Sequence, residues 1–360
     1  MKTPLFSPTQ LTVITTDNCN ARCKHCVLCC SPGKKHSLTF KKIRDAVEQL
    51  ESINPVTLVV FTGGEPTLLK NDLLEALAFC SERGILTRIV TNAHWAKDRK
   101  AAYSYLRTLR ECGLDELNIS TDDYHTPYIP FEYVKNAFHA SKGLGFSSVV
   151  IANSHSKGDT VTPEYIENAL GKKLIRLSDN DENKALPDKR SPDGTCYILS
   201  DSFLQRIGRA AELDDKYFQI ETNEEKFMSN CRWVVDTLTL SPRGNIWACC
   251  GIVCDNNIVL DLGNPRKNPL KKILKTANDN MLLHALRLLG PMFLKQFVLS
   301  HNSKIHFKKK AYSSVCEICQ DLTENRKAIN ELRKNYPELI YFIIAAEKQK
   351  TKKKNVKKVN

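Results

Sequence analysis

Five cysteines fall within a dozen positions, Cys19, Cys23, Cys26, Cys29 and Cys30, directly after the short apolar run "LTVITT" at 11–16. Neighbouring thiols serve disulfides, zinc sites, redox exchange and iron–sulfur clusters, and the rest of the chain has to choose among them. The opening "MKTPLFSPTQLTVITT" lacks the apolar core of a signal peptide, and no stretch approaches a membrane span. A reducing, cytoplasmic setting is expected, where a disulfide framework is disfavoured. Fourteen cysteines in such a chain point to metal or redox chemistry. Cys23-Lys24-His25-Cys26 has the form of a redox CxxC, and zinc sites also use short spacings. An iron–sulfur cluster accounts for more of the pattern. Three thiolates spaced x3 and x2 can wrap one face of a cube and leave one iron open for chemistry.

Three further polar segments follow apolar runs in the same way: "GGEP" at 63–66, "TNAH" at 91–94 and "STDDYH" at 120–125. The runs before them, 57–62, 85–91 and 114–120, read as strands, as do 146–152 and 173–177. Helical patterns separate them. Phe40, Ile43, Val47 and Leu50 share one face with Thr39 as the cap, a second helix opens on Asn71, a third ends at Gly113, and Thr162-Pro163 starts another. This alternation predicts parallel βα units, closed or nearly closed into a barrel, with the reactive groups at the C-terminal ends of the strands. The polar stretch 178–194 reads as a surface loop. With 360 residues and 42% hydrophobic content, the chain can bury one large core and a smaller module.

The character changes near 215–230. "VVDTLTL-SPRG-NIWACC" reads as a hairpin turning at Pro242 and Gly244, and cysteines recur at 231, 249, 250, 254, 316 and 319. A last helical stretch, 321–348, is interrupted at Pro337. The net charge of +13 is uneven: residues 348–360 hold seven lysines and no acid, and 280–316 hold six Lys or Arg and no acid. Such a tail is a solvated end or a contact for an acidic partner such as nucleic acid. No aromatic residue interleaves with its lysines, so a base-stacking platform is unsupported.

C-x3-C-x2-C after the first strand, with "GGEP" ending the second, resembles the radical SAM superfamily over roughly residues 10–210. The resemblance implies a partial (β/α)6 barrel in which Cys19, Cys23 and Cys26 hold a [4Fe–4S] cluster whose fourth iron chelates S-adenosylmethionine. It also implies cofactor contacts from Gly63, Gly64 and Glu65, and from Asn92, Ser120 and Asp122 after strands three and four. Asp123 stands where related SPASM-type sequences carry glycine, and Cys29 and Cys30 remain loop thiols. No catalytic side chain is singled out. The pattern Cys231-x12-Gly244-x4-Cys249 with Cys316-x2-Cys319 is similar to SPASM/twitch auxiliary domains. It implies a second [4Fe–4S] cluster on Cys231, Cys249, Cys316 and Cys319, with Cys250 and Cys254 competing, zinc as the alternative, and nearby lysines offsetting the cluster's charge.

The implied organisation is a radical SAM core over 1–215, an auxiliary domain over 231–322, and a C-terminal helix with basic tail over 323–360. The implied activity is reductive cleavage of S-adenosylmethionine to methionine and a 5′-deoxyadenosyl radical, which takes hydrogen from a peptide or protein. An electron donor such as flavodoxin or ferredoxin and no membrane are expected. About ten residues before the first strand leave no separate leader-binding domain there. A nucleic-acid or small-molecule modifying enzyme, or a non-catalytic iron–sulfur regulator, are the alternatives.

Overall fold

The computed structural model describes residues 6–178 and 189–356. Most of the 178–194 loop and the last four residues of the basic tail therefore lie outside the described residues. The chain divides into two compact units. The first runs from Thr9 to Gln219 and includes Leu240–Gly244; the second comprises Ile220–Thr239 and the chain from Asn245 onward, with the described residues up to Pro8.

The first unit is built on seven parallel strands: β1 (Gln10–Ile14), β2 (Leu58–Thr62), β3 (Leu86–Thr91), β4 (Glu116–Ser120), β5 (Ser148–His155), β6 (Ile175–Ser178) and β7 (Cys196–Phe203). They lie in the order β1-β2-β3-β4-β5-β7-β6, with Val13 opposite Phe61 and Ile151 opposite Leu199. The expectation of six units misses β7, which inserts between β5 and β6. Its sequence, "CYILSDSF", is apolar only in its first half and turns polar toward the rim, so neither alternation nor a full apolar run marks it. Helices α1 (Phe40–Glu51), α2 (Asn71–Ser81), α3 (Arg99–Glu111), α4 (Phe131–Ala140) and α5 (Pro163–Leu170) connect the strands. Of the expected α1 face, Phe40 is half-buried and Ile43, Val47 and Leu50 are fully buried. Each such side chain stabilises the fold by about 1.5–3 kcal/mol. Thr39 precedes α1 but makes no side-chain cap; the Phe40 N–H donates instead to Asp72 at 2.9 Å. Thr162 does cap α5, and Gly171, in the left-handed region, ends it.

The second unit carries β8 (Thr237–Leu240), β9 (Ile246–Trp247) and β10 (Asp261–Gly263), with β9 and β10 antiparallel. The turn between β8 and β9 closes where expected, the Gly244 N–H donating to the Ser241 carbonyl at 2.8 Å. Three helices unforeseen in the sequence follow: α6 (Leu270–Asn278), α7 (Met281–Leu288) and α8 (Pro291–His301). Helices α9 (Val315–Glu324), α10 (Arg326–Lys334) and α11 (Tyr336–Val356) complete it. The last helix begins one residue before Pro337, at a position where proline's missing N–H costs nothing. No single helix among the described residues is long and apolar enough to cross a membrane.

Candidate active site

Between Ile14 and Phe40 the chain forms no helix or strand beyond isolated bridges of Thr16 with Ser37 and Asn18 with Ser31, and the cysteine loop takes further partners from outside. The loop after β2 supplies several. The Gly64 N–H donates to the Thr16 carbonyl at 2.7 Å and the Glu65 N–H to the Asn18 carbonyl at 3.0 Å. This approach requires glycine, because a Cβ on Gly64 would stand 2.0 Å from the Asn18 oxygen and 3.1 Å from the Cys19 Cβ. Cys19, Cys23, Cys26, Gly63, Gly64, Asn92 and Ser120 all line one cavity of about 280 Å³, together with His25, Cys30 and His125. Its lining is rich in thiols and holds no carboxylate. That donor set suits iron–sulfur or zinc and not a hard cation.

Glu65 and Asp122 do not line this cavity. Glu65 is fully buried, and its carboxylate accepts from the Thr67 N–H (3.2 Å), the Thr67 hydroxyl (2.7 Å), the Thr91 hydroxyl (2.8 Å) and the Asn92 N–H (2.9 Å). It ties the "GGEP" loop to the end of β3. The Asn92 amide in turn donates to Asn20 at 2.9 Å, which reaches the cysteine loop.

Asp122 is 2% exposed and fully occupied as well. One oxygen accepts from the N–H groups of Tyr124 and His125, both at 2.9 Å. The other meets His125 Nδ1 at 2.8 Å and His25 Nε2 at 3.1 Å. Burial disfavours the Asp122 charge, but His125 and His25 outweigh it and hold the carboxyl far below the usual range. His25, within the cysteine motif, also stacks on Tyr124 at 4.9 Å, and its buried Nδ1 has no partner. His25 lines the same cavity as the thiols, and a bound group there could complete that atom. Asp123 has its own task. It accepts from the Thr160 hydroxyl and from the N–H groups of Thr160 and Val161, and so ties the β4 loop to the segment before α5.

The thiols are not equivalent. Burial pushes Cys19 up to about 12. A thiol hydrogen bond from Cys30 brings Cys26 down to about 5, helped by the Cys30 N–H at 3.3 Å. Cys30 is thus buried against a candidate ligand and is more than a loop thiol, while Cys29 is half-buried with φ +55°. The sequence also conceals Arg209, which donates to the carbonyls of Cys23 and Cys30, both at 2.6 Å.

In the second unit Cys231, Cys249, Cys316 and Cys319 converge. Burial raises the Cys319 thiol well above its ordinary value, and Cys249, Cys231 and Cys316 lie close enough to add to this. A Cβ on Gly251 would touch Cys316 Sγ at 3.5 Å and Cys249 Sγ at 4.0 Å. Cys254 joins them, fully buried, with its thiol donating to Cys249 and lowering that thiol to about 7. Cys250 is exposed. Of the lysines expected to offset the cluster's charge, Lys308 has a carboxylate partner of its own. Lys308 extends to Glu324 at 2.7 Å, at the opposite end of α9 from Cys316 and Cys319.

Residues 13–171 match the family model described as the Radical SAM superfamily. Those residues are a radical SAM domain. A [4Fe–4S] cluster and S-adenosylmethionine are the cofactors that such a domain carries. YydG of Bacillus subtilis (strain 168), named as a peptide biosynthesis protein, is 22% identical over 319 residues, covering 87% of this chain and 91% of its own. Fe-coproporphyrin III synthase of Methanosarcina barkeri is 33% identical over 132 residues, but this covers 36% of this chain and 31% of the synthase. Among solved structures, anSMEcpe with bound AdoMet and Cp18Cys peptide aligns with a TM-score of 0.52 at 13% identity, over 94% of this chain and 99% of that one. At that identity the likeness is one of fold.

Proposed function

We propose that this radical SAM enzyme acts on a peptide, with one [4Fe–4S] cluster on Cys19, Cys23 and Cys26 and a second on Cys231, Cys249, Cys316 and Cys319. The observation that carries the reading is the cavity where three motif thiols meet the Gly63-Gly64 loop, Asn92 and Ser120 with no carboxylate between them. When bound there, the cluster and S-adenosylmethionine supply one-electron cleavage and hydrogen abstraction. The chain's residues bind and orient. Gly64 brings the backbone of the β2 loop against the cysteines, Glu65 fixes that loop to β3, and Asn92 and Ser120 present polar groups to the cavity. Asp122 acts through His25 and His125.

The peptide class is supported by the name of YydG and by the peptide bound in anSMEcpe. The same reading assigns residues 1–215 to the core, 231–322 to the auxiliary domain and 323–360 to the C-terminal helix and tail. It places the enzyme in the cytoplasm, where thiols stay reduced, with flavodoxin or ferredoxin as the electron donor.

Anaerobic reconstitution is expected to load about eight irons as two cubane clusters. Replacing Cys19, Cys23 and Cys26 by Ala is expected to halve that iron and abolish 5′-deoxyadenosine formation from S-adenosylmethionine and dithionite. A per-deuterated candidate peptide should pass deuterium into 5′-deoxyadenosine. A zinc-loaded protein that is active and refuses iron would sink the reading, and deuterium transfer from small molecules or RNA alone would sink the peptide part.

A further inference from the structure

We propose that Gly208 and Arg209 clamp the cysteine loop in place, which makes Arg209 a positioning residue for the cluster. The inference rests on the reading of Cys19, Cys23 and Cys26 as cluster ligands. Gly208 and Arg209 open the short 3-10 turn that follows β7, and Arg209 lies 186 residues along the chain from Cys23. Its backbone N–H donates to the Cys26 carbonyl at 3.0 Å. Its guanidinium donates from Nη1 to the Cys23 carbonyl and from Nη2 to the Cys30 carbonyl, both at 2.6 Å. One residue therefore binds three carbonyls of the loop, adding to the turn bonds that the Cys26 and Cys29 N–H groups already give the Cys23 and Cys26 carbonyls.

Only arginine offers two N–H groups in a rigid fork of this kind. Gly208 makes the approach possible. Its φ is +60°, and a Cβ there would stand 2.2 Å from the Val27 carbonyl oxygen and 2.6 Å from that of Cys26. The clamp has an electrostatic side too. The guanidinium charge stands 2.6 Å from the carbonyls of both Cys23 and Cys30. A fixed positive charge beside thiolate-ligated iron favours the reduced, more negative state. The fork should thus hold the ligand loop together, and the charge should raise the reduction potential of its cluster.

The experiment compares reconstituted full-length wild type with Arg209→Gln, Arg209→Lys and the Cys19/Cys23/Cys26→Ala variant. Three properties are read: the melting midpoint, the rate of iron release to a chelator, and the cluster potential from an EPR-monitored redox titration. A charge-assisted bond of this type contributes about 1.5–3 kcal/mol, so Arg209→Gln should release first-cluster iron at least about 10-fold faster and titrate at a lower potential. Arg209→Lys should recover the potential but still release iron quickly, because one ammonium cannot serve both carbonyls. A folded Arg209→Gln protein matching wild type in release and potential overturns the proposal. If Arg209→Gln does not fold, Arg209→Lys decides: fast release supports the clamp and wild-type release overturns it. If the three-cysteine variant keeps all its iron, the ligand reading has failed. If that variant loses iron while the Arg209 variants behave as wild type, the clamp alone has failed.

Discussion

Two buried carboxylates frame the site, and neither has an oxygen to spare. Glu65 accepts four hydrogen bonds from Thr67, Thr91 and Asn92. Its removal leaves buried donors without partners, a cost of about 3 kcal/mol. Glu65→Ala is therefore expected to lower the denaturation midpoint clearly and to weaken S-adenosylmethionine binding as a consequence. Were Glu65 chiefly a direct cofactor contact, the same variant would lose affinity at unchanged stability. Gly64 gives a second prediction. Gly64→Ala pushes a methyl into the Asn18 carbonyl and is expected to prevent retention of first-cluster iron. Gly158→Ala, with nothing within 4 Å of its Cβ, should pay only the strain of φ +92° and keep its iron. Equal iron loss in both would show that approach to the cysteine loop does not decide. The place of "GGEP" was readable from its position after a strand. Its bracing role was not, because Thr91 and Asn92 lie 26 and 27 residues farther on, and spacing does not reveal which acceptors are already taken. Arg209 was hidden more deeply still, as one of two arginines in "QRIGRAAEL" with no local pattern to mark it.

At the scale of elements, legibility followed periodicity. β1 to β5 and α1, α2, α3 and α5 stand close to where apolar runs and turn signals placed them. β7 and α6 to α8 were missed where polar rim residues or short helices break the pattern. The CxxC of the second unit shows what an element adds to a motif. Cys316 and Cys319 lie in the first turns of α9, three positions apart, so they share a helix face. The Ser314 hydroxyl accepts from the Glu317 N–H at 3.2 Å, and the Glu317 carboxylate accepts from the Ser313 N–H at 2.7 Å. These two bonds fix the turn that presents both thiols. Ser314→Ala is expected to cost about 1 kcal/mol and to speed iron loss from the auxiliary site, measured in the background lacking the first three cysteines. Ser314→Asp, which restores an acceptor, should reverse both effects. An Asp variant no better than Ala would show that the cap does not govern the site.

Over the whole molecule, Arg209 brings positive charge against the first cysteine loop, whereas the lysine-rich C-terminal stretches have settings of their own. Lys308 pairs with Glu324, and the helix that leads into the basic tail, α11, has Leu339 and Ile343 as its buried anchors. From Lys348 the described side chains are exposed although the backbone remains helical to Val356. Ending the chain after Gln349 removes six lysines and none of these buried anchors. The field of those lysines is screened over about 8 Å at physiological salt. The shortened protein is therefore expected to match the full chain in melting midpoint, iron content and 5′-deoxyadenosine formation. Binding to RNA or heparin, if the full chain shows it, should weaken and lose salt sensitivity, since each neutralised phosphate contact contributes to the salt slope. Iron content and 5′-deoxyadenosine formation are the deciding measurements. A fall in either, with RNA present or absent, would make the tail part of the active assembly.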